Sequence, residues 1–208
     1  MDTPPQSAAP LRWFGRGIVT LAAFAATLWW AVPWALEPTP IGPSVAPDPE
    51  RHAGAVIQVY GADVIGVRGR YAIHTWIATK PAGADRYRIH EVVGWQLRRS
   101  RSAVRVSAGD PARHWFGAPP VLLHDLRGPA AEALIDDVHE AIALYPFAQE
   151  YTMWPGPNSN SFIAWVGLAV PDLGLDLPTK AIGQNWMKQN FAKIESGPDD
   201  ADMPADAG

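Results

Sequence analysis

The sequence predicts an α+β domain in which an antiparallel sheet packs against two or three helices. Two observations lead to this prediction. Four short segments rich in β-branched and aromatic residues follow one another through compact turns, and apolar residues then recur at helical spacing. Because antiparallel strands can be joined by short turns whereas parallel strands need a long crossover, we expect an antiparallel meander.

The predicted strands lie near residues 55–60, 71–79, 87–95 and 103–107. Glycine, proline or arginine clusters separate them, and such clusters are typical of turns. The sheet should therefore be formed by consecutive strands that pair with their neighbours along the chain.

The predicted helices follow the strands. One covers residues 130–145, with Pro129 suited to its first turn and Pro146 ending it. Its apolar stripe comprises Leu134, Ile135, Val138, Ile142 and Tyr145. A second helix is predicted over residues 159–170, and residues 181–191 predict a further short strand or helix.

Composition excludes several kinds of function. The net charge is −4, so the chain lacks the excess of positive charge that is typical of nucleic-acid-binding proteins. The chain has no cysteine, so it cannot form disulfides, thiolate nucleophiles or cysteine zinc sites. Its six histidines show no metal-ligand spacing, so we expect neither a metal nor another cofactor. The oligomeric state is left open.

Residues 17–36 carry no charge, and about 20 apolar residues are what a helix needs to cross a bilayer. We expect an uncleaved transmembrane anchor from Gly17 to Leu36, with the lipid bilayer as its partner; a cleaved signal peptide is the alternative. Arg12 and Arg16 precede this stretch and acidic residues follow it. The positive-inside rule therefore predicts a single-pass protein of the inner membrane, with a cytoplasmic N-terminus and a periplasmic domain.

The predicted organisation has five parts. A cytoplasmic segment at 1–16 precedes the anchor at 17–36, and a proline-rich spacer follows at 37–52. The globular domain spans 53–195, and an acidic tail expected to be disordered spans 196–208.

A candidate active site involves the start of the second predicted helix. The run Trp154-Pro-Gly-Pro-Asn-Ser-Asn-Ser-Phe162 places Ser159 at a helix N-terminus after a constrained loop. His74 lies on the second predicted strand and would act as the base. His90 is the candidate third member and Glu91 the alternative, because adjacent strand residues point to opposite faces.

Three further residues are predicted to bind substrate: Trp154, Asn158 and Asn160. The structural alternative is that the polar residues only cap a helix, contributing about 1 kcal/mol, and that His74 is a core histidine.

Five segments carry a resemblance to a bacterial family known as domain of unknown function 3750, over roughly residues 53–189. They are Ile73-His-Thr-Trp-Ile-Ala78, Glu91-Val-Val-Gly-Trp95, His114-Trp-Phe-Gly117, Asp125-Leu-Arg-Gly128 and the run 154–162. That resemblance brings no established activity.

Asn158-Ser-Asn-Ser-Phe-Ile163, after a histidine-bearing strand, also resembles the Asn-Cys-Glu-His-Phe-Val pattern of circularly permuted papain-like proteins. These include the NlpC/P60 and lecithin–retinol acyltransferase groups. The resemblance implies a permuted papain-like fold, with Ser159 at the nucleophile position and His74 at the base position. It departs from the pattern at the nucleophile, where the family has cysteine.

Taken together, these features predict a membrane-anchored envelope protein that acts as a Ser/His hydrolase or acyltransferase on an amide or ester. The alternative is a non-catalytic papain-like descendant that binds an envelope peptide, glycan or lipid.

Overall fold

The structure is a computed structural model that describes residues 46–195. Its centre is a five-stranded antiparallel sheet with the order β4-β3-β2-β1-β5. The strands are β1 (Val56–Asp63), β2 (Ile73–Lys80), β3 (Arg88–Val92), β4 (Val104–Ala108) and β5 (Val121–Arg127). The helices are α1 (Pro129–Ala143), α2 (Ser159–Ala169) and α3 (Gln184–Glu195).

The α+β class and the antiparallel sheet are confirmed. The four predicted strands correspond to β1–β4, which form a meander. Two of the predicted helices correspond to α1 and α2, and the segment left open near 181–191 contains the start of α3. The strand β5 was not predicted, and it lies beside β1.

The sheet separates two apolar clusters. On the side we call the helix side, strand residues such as Ile57 and Ile77 share one buried cluster with Val138 of α1 and Phe162 of α2. On the opposite side, called the aromatic side, the buried cluster contains Tyr60, Trp76, Tyr87, Ile89 and Trp115. The alternation of strand residues produces this division.

This division fixes the surroundings of the site residues on β2. Trp76 belongs to the aromatic-side cluster, whereas Ile73 and Ile77 belong to the helix-side cluster. His74 therefore points with Trp76, and Thr75 points with Ile77 toward the helices.

The predicted cytoplasmic segment, transmembrane anchor and acidic tail lie outside the described residues, as does most of the predicted spacer. Within residues 46–195, no helix is long and apolar enough to span a membrane.

Candidate functional site

The start of α2 is fixed by a reciprocal cap. Asn158 Oδ1 accepts hydrogen bonds from the backbone N–H groups of Asn160 (2.9 Å) and Ser161 (3.1 Å). In return, the backbone N–H of Asn158 donates to Ser161 Oγ at 2.6 Å. Such a cap satisfies N–H groups that would otherwise lack partners at the helix end. The predicted helix start at Ser159 is confirmed.

Asn158 and Asn160 also anchor the helix start to neighbouring segments. Asn158 Nδ2 donates to the carbonyls of Met153 and Ile182, and Asn160 Nδ2 donates to those of Ile73 and Ile182. Because these bonds occupy the amide groups, the geometry shows positioning residues. Ligand binding by either asparagine stays a prediction.

Gly183 makes this anchoring sterically allowed. A Cβ at residue 183 would lie 2.5 Å from Asn158 Nδ2, and the backbone φ of +101° also disfavours a side chain there. The segment before α3 can therefore approach the cap closely only with glycine at this position.

A hydroxyl on β2 joins the strand to the start of α2. Thr75 Oγ1 lies 3.1 Å from the backbone oxygen of Ser159 and 3.0 Å from Asn160 Oδ1. Thr75 is fully buried, so these contacts are shielded from water. The strand that carries His74 is thus in direct contact with the helix start that carries Ser159.

His74 is hydrogen-bonded to a carboxylate on the next strand. Its Nε2 lies 2.9 Å from Glu91 Oε2, and Glu91 is fully buried. The Trp115 ring stacks on the imidazole with ring centroids 3.7 Å apart and planes inclined by 11°. The carboxylate and the indole together fix the orientation of the imidazole.

Two guanidinium groups surround Glu91. Arg113 donates to Glu91 Oε1 at 2.8 Å, and Arg105 approaches the same oxygen at 3.5 Å. Burial would raise the pKa of Glu91, but the hydrogen bond to His74 and the charges of both arginines outweigh it, so the pKa is lowered. Glu91 is therefore ionised at neutral pH.

The imidazole is held neutral in this setting. Burial lowers the pKa of His74, and the opposing effect of the Glu91 carboxylate does not fully offset it. With Nε2 donating its proton to Glu91, Nδ1 carries a lone pair and can accept a proton. This is the protonation state required of a general base.

Ser159 and His74 are not hydrogen-bonded to each other in the described part of the chain. Both residues are buried. Thr75, the β2 residue that reaches the start of α2, points to the helix side, whereas His74 points to the aromatic side. The direct pairing of Ser159 and His74 in catalysis stays a prediction.

His90 occupies a different environment from the one expected for a third catalytic member. It pairs with Ile77 and points to the helix side, where its ring lies 5.4 Å from that of His139. His139 Nε2 lies 2.8 Å from Thr79 Oγ1, beside a cavity of about 670 Å³. Glu91, opposite Trp76 in the sheet, is the residue that contacts His74. Of the two candidates named from the sequence, the structure brings Glu91 and not His90 to His74, because the pleat alternates the two side chains. A catalytic role for His90 stays a prediction.

Trp154 is 68% exposed and remains available for contact with a ligand.

Closer to His74, a set of aromatic residues was not assigned from the sequence. Trp95 stacks on Trp115 with centroids 5.6 Å apart, and Phe116 meets Trp115 edge-on at 5.1 Å. Trp95 and Phe116 are exposed, so they form an aromatic rim around Trp115, the indole that stacks on the imidazole. The run His114-Trp-Phe-Gly117 was the sequence signal for this rim.

Arg105 and Arg113 were also missed. Arg105 lies directly opposite Glu91 in the β3–β4 pairing, a register that only the folded sheet reveals. Within the described residues, no group of three or more His, Asp or Glu side chains could hold a metal ion.

The fold and the site define a small α+β domain with a buried His–Glu pair on one side of the sheet and a capped helix start against the other. The chain belongs to the family described as "Protein of unknown function (DUF3750)", which matches residues 54–186. The family membership predicted from the sequence is thereby confirmed. No curated protein and no solved structure matches the chain.

Proposed function

We propose that this domain is a serine hydrolase or acyltransferase in which Ser159 is the nucleophile, His74 the base and Glu91 the orienting carboxylate. The observation that carries the proposal is the hydrogen bond between His74 Nε2 and Glu91, which leaves Nδ1 as the proton acceptor. The resemblance to permuted papain-like proteins also supports it. In those proteins, as in this chain, a histidine on a strand comes earlier in the sequence than the nucleophile position at a helix start.

The proposed reaction requires Ser159 Oγ and His74 Nδ1 to meet around a substrate carbonyl, although the structure has His74 on the aromatic side of the sheet and the start of α2 against the helix side. Oγ forms a bond to the carbonyl carbon as its proton moves to His74 Nδ1, giving a tetrahedral intermediate with a negatively charged oxygen. His74 then gives that proton to the leaving alcohol or amine, and an acyl-serine remains. Water, or an acceptor alcohol or amine, then attacks the acyl-serine while His74 takes its proton. His74 returns this proton to Ser159 Oγ, and the acyl group leaves on the attacking molecule.

The helix start offers one suitable donor for the oxyanion. The cap uses the N–H groups of Asn160 and Ser161, so these are occupied, whereas the N–H of Ser159 lies outside the cap. At the N-terminus of α2, this N–H would also act together with the positive end of the helix dipole.

We further propose that the substrate belongs to the cell envelope. The uncharged stretch at 17–36, with arginines before it, supports an anchor that places the domain on the outer side of the inner membrane. An amide or ester of the envelope would then lie within reach of the domain.

A second candidate function is binding without catalysis. The absence of a hydrogen bond between Ser159 and His74 in the described residues favours it, as does the aromatic rim of Trp95 and Phe116. In that case, the site would hold an envelope peptide, glycan or lipid against the aromatic side chains.

Labelling of the full-length chain with a fluorophosphonate separates the two candidates. We expect covalent labelling that is lost in Ser159→Ala and strongly slowed in His74→Ala, while the matched variant Ser107→Ala labels like wild type. Circular dichroism checks that each variant is folded. A folded wild-type protein that never labels, or labelling that persists in Ser159→Ala, would contradict the enzyme proposal.

A further inference from the structure

The charges around His74 do not balance. Glu91 is a single carboxylate, and two guanidinium groups lie against it, those of Arg105 and Arg113. Because His74 is neutral, these four groups carry a formal net charge of +1. One carboxylate would be matched by one arginine, so the second cation is available to another anionic partner.

One donor atom of this cluster is also unmatched. Arg113 Nη1 is buried and has no hydrogen-bond partner among the described residues, although Nη2 of the same group donates to Glu91. The guanidinium lies over the Trp76 ring, 5.0 Å from its centroid. Since buried donors are nearly always paired, an unpaired one beside a candidate active site points to an acceptor on a ligand.

The second arginine can reach a ligand as well. The Arg105 side chain is 37% exposed and that of Arg113 is 27% exposed, whereas Glu91 is fully buried. The cations therefore lie between the carboxylate and solvent, on the same side of the sheet as His74 and the aromatic rim.

We infer that the substrate of this site carries an oxyanion group, a carboxylate or a phosphate, which binds Arg105 and Arg113 while the aromatic rim contacts the adjoining part of the molecule. The inference rests on the proposed function, because it names the substrate class of the same site. Planar guanidinium groups suit this role, since they pair with carboxylate and phosphate oxygens through directed hydrogen bonds.

A binding experiment tests the inference without requiring catalysis. The full-length chain is titrated with N-acetylglycine, methyl phosphate and the neutral isostere N-acetylglycinamide, and the indole signals of Trp95 and Trp115 are followed by NMR. We expect one or both anions to bind at least about tenfold more tightly than the neutral amide. The tighter of the two anions identifies the group as carboxylate or phosphate.

In the variant Arg105→Gln, the affinities for the anions and for the neutral amide should differ by no more than about twofold, because the more exposed cation has been removed. Arg99→Gln is the matched control: it removes one exposed arginine outside the cluster and should leave the preference within about twofold of wild type. Equal binding of all three probes by the wild type, or equal losses in Arg105→Gln and Arg99→Gln, would overturn the inference.

The outcome is distinguishable from that of the labelling experiment. Anion preference without fluorophosphonate labelling would support the oxyanion subsite and reject the serine chemistry. Labelling at Ser159 without anion preference would reject the subsite and keep the serine chemistry.

Discussion

Replacing Glu91 with glutamine tests the charge arrangement that underlies the site. The exchange keeps the size of the side chain but removes its charge, so Arg105 and Arg113 lose their shared counter-ion and His74 loses its carboxylate partner. Glu91 is fully buried, and water therefore cannot replace the lost interactions at that position.

The expected loss of stability follows from these contacts. Removing one partner of a buried ion pair costs about 3–5 kcal/mol, because it leaves an uncompensated charge. The two arginine side chains are partly exposed, which lets solvent stabilise them and favours the lower end, about 3 kcal/mol. For a domain of this size, that corresponds to a fall in Tm of about 6–12 °C.

Urea denaturation of the full-length chain at pH 7 measures the effect. Asp85→Asn is the matched control: it also converts a carboxylate to an amide, but its ion pair with Arg86 is exposed on both sides. The control should change stability much less than Glu91→Gln does, because solvent screens an exposed ion pair. A Glu91→Gln variant as stable as that control would refute the description of Glu91 as a buried counter-ion.

The pH dependence gives a second check on the same variant. The folded-state pKa of Glu91 is lowered, so its contribution is fully present above the ordinary carboxyl pKa and is lost as the pH falls through the folded value. The stability difference between wild type and Glu91→Gln should therefore shrink under acid conditions. A difference that grows on acidification would contradict this sign.

Three other predictions concern the core, a buried histidine and the topology. Val138→Asp should destabilise the domain by about 3–5 kcal/mol in urea melts, because Val138 is fully buried on α1. Burial and the charges of His139 and Arg88 lower the pKa of His90 to about 4, so wild type should lose about 3 kcal/mol relative to His90→Gln as the pH falls from 6.5 to 4. In intact spheroplasts, protease should digest the domain after His52 and spare the N-terminal segment.

Each of these predictions has a contradicting outcome. Leu144→Asp is the control for the core variant, since Leu144 is exposed after α1, and equal melting of the two variants would exclude Val138 from the core. Parallel acid profiles of wild type and His90→Gln would show that His90 titrates normally. Full protection of the domain in spheroplasts would place it in the cytoplasm.

The comparison of sequence and structure shows which signals are local. The cap at Ser159 and the stripe containing Val138 depend on neighbours within a few residues, and both predictions were confirmed. The strand β5 was missed because a bulge interrupts its pairing with β1. Leu122 pairs with Tyr60 and His124 with Val59, so Leu123 breaks the alternation that marks a strand.

The composition of the site required tertiary information. His90 and Glu91 are adjacent, and their opposite orientations follow from the pleat, but the face shared with His74 is set by the pairing of Trp76 with Glu91. Arg113 reaches Glu91 from a loop, a contact that no periodicity in the sequence indicates.

The most direct test of the central claim is the pKa of a thiol placed at the proposed nucleophile position. In Ser159→Cys, the N-terminus of α2 and the imidazole of His74 should both stabilise a thiolate. Titration of its alkylation rate should give a pKa clearly below the ordinary value of about 8.5, and the pKa should rise when His74→Ala is added. A pKa that stays near 8.5, or that does not change when His74 is removed, would contradict a catalytic pairing of these two residues.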